Sequence, residues 1–379
     1  MIKKIAMLGA GNGGFATTAE MTLKGYDVTL FEFPEFKGSL EPIRKHGGIA
    51  IFGPETWGSK TPTAFAKIPK ERLTTDIKQA VKGADFVKIS VICQGQRKMA
   101  ELVAPHLEDG QIVFFDSAPG GALELAKAMR DKGLKKDIVI GETNNLAYLA
   151  RKVGPATVRA IIKPDAIFAA AFPAKDTPKL MKAVNELHPL IKQGTNVFET
   201  ILLDLNALDH IPTGLLNVSW LEGTNRAFGY WTDGGTPSTI RCIDEFNNET
   251  LAIRKTLGFK EQRVQKDWIY AQGFINKPAA TTLEAFQHSD MSQAVVYGKP
   301  GIFKTFDIIT DTIPYGLTLI SSIGDMVGVE TPVIDSFITI GSVVCETDFW
   351  KEGRTAEKLG VPKGLNVKQL NRFLYEGKV

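Results

Sequence analysis

At 379 residues, 44% hydrophobic and 23% charged, the chain has the length of two or three domains and can bury a large core without disulfides or bound metal. Its 45 basic and 42 acidic residues leave a net charge of +3, too little over this length to draw nucleic acid, and no basic arm stands apart. Cys93, Cys242 and Cys345 are odd in number and far apart, which excludes a disulfide scaffold and predicts reduced thiols.

The first segment, Lys4-Ile5-Ala6-Met7-Leu8-Gly9, is a short apolar run closed by glycine, the signature of a buried strand. A helix pattern follows from about Gly14 to Gly25, then a second strand over Tyr26 to Glu32. Strand, helix and strand in so short a span make a βαβ unit. The alternation goes on. Helices are predicted over Asp76–Lys82, Lys98–Pro105 and Ala122–Gly133, with strands over Asp85–Val91, Gln111–Phe115 and Asp137–Gly141. Two further strands fit Thr157–Ile162 and Ala166–Phe172. Repeated alternation of this kind predicts an α/β unit with a mostly parallel sheet and helices on both faces.

From about Val197 the strand-like runs fade. Helical patterns take over at Glu199–Leu208, Ile240–Leu257, Tyr315–Val327 and Pro332–Val344. The boundary falls near Gly194-Thr195-Asn196, which gives a first domain over 1–195 and a helical one over 196–379. The apolar stretch from Ile313 to Val344 is broken by Asp325, Glu330, Pro332 and Asp335, so it reads as two core helices rather than a membrane span. With no leader pattern at the start, the expected compartment is the cytoplasm. The C-terminal helices suit either core or the face of a homodimer.

The turn between the first strand and the first helix reads Gly9-Ala10-Gly11-Asn12-Gly13-Gly14. Gly9 permits the tight turn, Gly11 lets the backbone approach a diphosphate, and Gly14 lets the helix pack on the sheet. Gly13 and Asn12 complete the loop, and the helix N-terminus offers free N–H groups to the phosphates. An acid closes the second strand: Glu32 is placed to hydrogen-bond the adenosine ribose. That carboxylate would repel a 2′-phosphate, which favours NAD over NADP. Nearby Lys37 keeps NADP open. The first domain is thereby a Rossmann-type dinucleotide-binding domain.

The five histidines, His46, His106, His188, His210 and His288, form no metal-ligand spacing, and no metal is expected. A lone histidine is more often a settled core or surface residue than a catalyst. His210 stands out by its setting, Asp204-Leu205-Asn206-Ala207-Leu208-Asp209-His210-Ile211-Pro212, between a helical run and a proline. Imidazole is the side chain best suited to pass a proton near neutral pH, as hydride transfer to C=O or C=N requires.

These residues resemble the opine dehydrogenases of the octopine/nopaline type, over nearly the whole length. The likeness starts at Gly9–Gly14 and continues through Gly141-Glu142-Thr143…Leu146-Ala147-Tyr148…Arg151. It extends over Asn196–Thr200, Asn206…His210…Leu216-Asn217, Asp244-Glu245 and Leu257-Gly258. Pro314-Tyr315-Gly316-Leu317, Gly324–Val329 with Thr331-Pro332, and Glu352–Gly360 look similar as well. The resemblance implies an NAD(P)-dependent enzyme that condenses an amino acid or amine with a 2-oxo acid, or oxidises the product. It places His210 on the proton-transfer histidine. Asp311 falls on, or one residue before, the carboxylate paired with it. Asn206 lies in the substrate-binding segment.

One departure matters. The family pattern carries an arginine before Pro-Tyr-Gly-Leu, where this chain has Phe306 in one register and Asp307 in the other. An arginine there would clamp a substrate carboxylate through two hydrogen bonds. Lys304 and Arg241 are the cations that remain to replace it. Asp204 also stands where the pattern has asparagine. Two alternatives stay open: a 2-hydroxy-acid or secondary-alcohol dehydrogenase on the same scaffold, and a non-catalytic dinucleotide-binding module.

Overall fold

The computed structural model describes residues 1–53, 62–117, 119–162, 166–289 and 294–378. It divides into two compact units, one built on Met1–Lys163 and Ile167–Thr200, the other on Ile201–Phe373.

The first unit opens with β1 (Lys4–Leu8), α1 (Asn12–Leu23) and β2 (Asp27–Phe31). Then come α2 (Glu41–His46), β3 (Gly48–Phe52), β4 (Ala64–Lys67), β5 (Leu73–Thr74) and α3 (Ile77–Val81). They are followed by β6 (Phe86–Ile89), α4 (Cys93–Val103), β7 (Ile112–Phe115), α5 (Gly121–Asp131) and β8 (Val139–Thr143). The unit ends with β9 (Tyr148–Gly154), β10 (Thr157–Ile162), β11 (Phe168–Ala171), α6 (Thr177–Leu187) and β12 (Lys192–Gln193).

Among the described residues, eight strands form one sheet in the order β12-β11-β8-β7-β6-β1-β2-β5. The pairs from β5 to β8 are parallel, and β11 joins β8 antiparallel. The chain leaves β1 for β2 on one side and reaches β6 on the other. The end of β1 is therefore the point where strand order reverses, and crevices that bind ligands form there. Strands such as Phe86–Ile89 and Ile112–Phe115 are buried almost throughout, as a sheet covered on both faces requires.

A second sheet, β4-β3-β10-β9, was not foreseen beyond the Thr157–Ile162 strand. It lies on α1, whose Gly13 to Ala19 are all buried. α1 carries no polar face, so a single sheet could not cover it. The second sheet completes the cover.

The second unit is helical apart from a two-stranded ribbon. α7 (Val197–Leu202) leads into it, and α8 (Leu205–Leu215), α9 (Val218–Gly223) and β13 (Ala227–Gly229) follow. The long α10 (Pro237–Leu257), α11 (Gln265–Ala271) and α12 (Thr282–Gln287) precede β14 (Val295–Tyr297), the partner of β13. α13 (Asp307–Thr310), α14 (Thr318–Val327) and α15 (Pro332–Val344) come next. α10 packs on α8, α14 and α15. Two expectations are corrected here. The run Glu199–Leu208 is not one helix: it breaks before Asp204, whose carboxylate accepts from the Asn206 N–H and starts α8 afresh. And His210 does not follow a helix, because α8 carries on through Pro212 to Leu215. Burial of Ile211, Pro212 and Leu215 holds the helix together although proline gives up one of its hydrogen bonds. Among the described residues no helix is long and apolar enough to cross a membrane.

Candidate active site

The glycine turn closes β1 and starts α1. Gly9 has φ +106°, and a Cβ there would meet the Ser90 carbonyl oxygen. A Cβ on Gly14 would run into the Gly9 carbonyl, and one on Gly13 would meet the Leu146 side chain at 2.8 Å. These three glycines are fixed by the protein's own packing. Gly11 is different. Its backbone is extended (φ −77°, ψ −164°), any residue can adopt that conformation, and a Cβ there meets nothing within 4 Å. No neighbouring protein group explains glycine at position 11, where the backbone is exposed.

Glu32 follows β2 and is 7% exposed. Its Oε2 accepts from the Ala10 N–H at 2.8 Å and its Oε1 from the Phe33 N–H at 2.7 Å. The carboxylate thus holds the turn from the side, and its remaining lone pairs are what a ribose would meet. Burial pushes its pKa up, against the pull of the two N–H groups and of Lys152. The exposed Asn12 ties the turn to β9, its Oδ1 accepting from the Lys152 main-chain N–H at 2.9 Å.

In the helical unit, α8 carries His210. Asn206 and His210 stand one turn apart, and both are partly exposed while Ala207, Leu208 and Asp209 between them are buried. They share one open face of α8. His210 is 23% exposed at its side chain, and its Nε2 lies 3.8 Å from Asp209 Oδ1. Gln265 donates to the other oxygen of Asp209 at 3.3 Å. The imidazole leans on Trp231, with ring centroids 5.6 Å apart at 32°, and meets Tyr230 edge-on at 6.4 Å. The Tyr230 hydroxyl donates to the His210 carbonyl at 2.6 Å.

Phe306, at the start of α13, packs edge-on against Tyr230 at 6.0 Å and so stands one ring away from His210. Asp307 beside it is exposed. Asp311 ends α13, half-buried, on a helix that packs against α8. Lys304 is paired with Glu346 at 2.7 Å on the exposed surface, and Arg241 donates to Ser238 at 2.8 Å. Tyr230, Trp231 and Asp209 escaped the sequence reading. The aromatic pair inside the glycine-rich stretch Gly229–Gly235, and an acid next to the singled-out histidine, were the signals available.

The family profile described as NAD/NADP octopine/nopaline dehydrogenase, alpha-helical domain, matches residues 193–345. The opine dehydrogenase of Arthrobacter sp. (strain 1C) is 31% identical over 360 residues, covering 95% of each chain. The chain belongs to the opine dehydrogenase family. As a member of this family it is an NAD(P)-dependent oxidoreductase acting on CH–NH bonds. The fold of the opine dehydrogenases extends over the whole length. An octopine dehydrogenase solved with NADH and agmatine superposes with a TM-score of 0.79 at 14% identity, covering 100% of this chain and 98% of that one. A yersinopine dehydrogenase solved with NADP+ superposes with a TM-score of 0.64 at 13% identity, over 99% and 98%.

Proposed function

We propose that His210 moves the proton in an NAD(P)-dependent reductive condensation of an amino acid or amine with a 2-oxo acid. The observation that carries this reading is the open face of α8. Of its first six residues, Asn206 and His210 alone are open, and an aromatic wall fixes the imidazole from one side.

When bound, the nicotinamide exchanges a hydride with the substrate carbon. Gly11 and the N-terminal N–H groups of α1 would hold the diphosphate, and Glu32 would meet the ribose. As the amine attacks the 2-oxo carbon, the carbonyl oxygen becomes a hydroxyl. Protonated His210 gives that oxygen a proton, so that it leaves as water and a C=N bond forms. In the oxidative direction the neutral imidazole takes a proton from the attacking water. Asp209 steadies the charged ring at 3.8 Å, and Asp311 is the second carboxylate proposed for that role. Asn206, on the same face, contributes hydrogen bonds to the substrate.

Phe306 in one register, and Asp307 in the other, stands where the family pattern has an arginine, and Lys304 is already paired with Glu346. The substrate portion beside Phe306 therefore meets an aromatic face instead of a guanidinium. The test is NADH oxidation with a 2-oxo acid, with and without a panel of amines and amino acids. Turnover that needs the amine is expected. Equal turnover without it would replace this reading by alcohol chemistry.

A further inference from the structure

We propose that Lys152 binds a phosphate of the dinucleotide. The inference rests on the reading of the Gly9–Gly14 turn as the dinucleotide site. Lys152 comes from β9, far along the chain, and three contacts fix it over that turn. Its main-chain N–H donates to Asn12 Oδ1 at 2.9 Å. Its ammonium donates to the Ala10 carbonyl at 3.1 Å and lies 4.4 Å from the centroid of the Phe15 ring. The Ala10 residue is thereby held at both of its backbone groups, by Glu32 at its N–H and by Lys152 at its carbonyl oxygen.

An ammonium has three donors, and Ala10 takes one of them. No carboxylate among the described residues lies within ion-pair distance of Lys152 Nζ. Glu32 acts on it only through the field, its own oxygens being engaged by main-chain N–H groups. A fixed cation with two spare donors therefore stands beside the first turn of α1, next to Gly11, the glycine that packing leaves unexplained. Partial burial pushes the Lys152 ammonium below its ordinary value, while Glu32 pulls it back. An anion delivered to that spot would relieve the first effect. The dinucleotide carries two such anions, the diphosphate and, in NADP, the 2′-phosphate.

The experiment titrates NADH and NADPH into the full-length enzyme, followed by nucleotide fluorescence, for wild type and Lys152→Met. Methionine keeps an apolar stem on Phe15. The charge-assisted contact predicts affinity weaker by about tenfold or more, with the melting temperature of the nucleotide-free enzyme lowered only slightly by loss of the Ala10 contact. Lys152→Arg, which keeps the charge, is expected to restore most of it. Equal losses for both nucleotides assign the contact to the diphosphate. A loss confined to NADPH assigns it to the 2′-phosphate. Lys152→Gln supplies the same reading should the methionine variant fail to fold. Gly11→Val separates the two levels of the argument. If Gly11→Val weakens binding while the uncharged Lys152 variants do not, the role of Lys152 is overturned and the turn remains the site. If neither changes the affinity, the reading of the turn fails as well.

Discussion

Tyr230 donates its hydroxyl to the main-chain carbonyl of His210 at 2.6 Å, so one buried phenol fixes the backbone beneath the imidazole while its ring flanks the imidazole edge-on. Burial pushes the phenol well above its ordinary range, and Asp209 adds to the effect, so Tyr230 stays a neutral donor wherever the protein is folded. Tyr230→Phe keeps the ring and deletes the hydrogen bond. A cost of about 1 kcal/mol in chemical denaturation is expected. Turnover should fall with it, because the ring of His210 loses its fixed base. A variant as stable and as active as wild type would sever this link.

His210→Ala removes the proposed proton carrier without touching the glycine turn. Turnover should fall by about 10²- to 10⁴-fold, the usual contribution of a positioned acid–base group, with NADH affinity intact. Asp209→Asn should give a smaller loss, since it alters the surroundings of the imidazole and leaves the imidazole itself. Unchanged turnover in His210→Ala would move the chemistry to another residue.

The parts of the fold that follow from neighbours in sequence were legible. The strand at Lys4, the glycine turn, the helix from Asn12 and the strand at Asp27 lie within one short segment, and each is signalled by its own residues. The second sheet was not legible, because its pairs are distant. β3 binds β10 across more than a hundred residues, and β4 reads only Ala-Phe-Ala-Lys. The signal that was available lay in α1, whose run of glycine, alanine and threonine has no polar face and so demands a second cover. The site divides in the same way. His210 was picked out by its type and setting. Tyr230 and Lys152 were invisible because their meaning comes from contacts across 20 and 142 residues. Pro212 misled for a related reason: taken locally it ends a helix, and buried packing overrode it.

Gly9, Gly11 and Gly14 of the turn should separate by assay. Gly14→Ala drives a methyl group into the Gly9 carbonyl, and Gly9→Ala adds an unfavourable φ to a clash with Ser90. Each should lower stability by about 2–3 kcal/mol, as overpacked sites do. Gly11→Ala meets no protein atom within 4 Å and should melt like wild type while binding NADH more weakly. Thermal melts with and without NADH distinguish the two groups. A Gly11→Ala enzyme that loses stability and keeps its NADH affinity would contradict the assignment.

Buried in the first unit, Lys88 Nζ lies 2.9 Å from His188 Nε2 and 2.9 Å from Asp116 Oδ2, with Lys88 and Asp116 fully enclosed. Nε2 must accept from the ammonium, so the ring proton sits on Nδ1 and the imidazole is neutral. Burial first, then the charges of Lys88 and Lys24, hold His188 well below its ordinary value of 6.5. The sign follows from linkage. Below pH 6.5 the unfolded chain takes up a proton that the folded chain refuses, so stability falls as the pH drops from 6.5 toward the folded value. One proton corresponds to about 1.4 kcal/mol per pH unit. His188→Gln offers Lys88 an amide oxygen in place of the imidazole and does not titrate. Urea denaturation at pH 7.5, 6.5 and 5.5 should therefore show a shallower loss in the variant than in wild type. Identical slopes would mean that His188 is protonated in the folded protein and that Lys88 donates elsewhere.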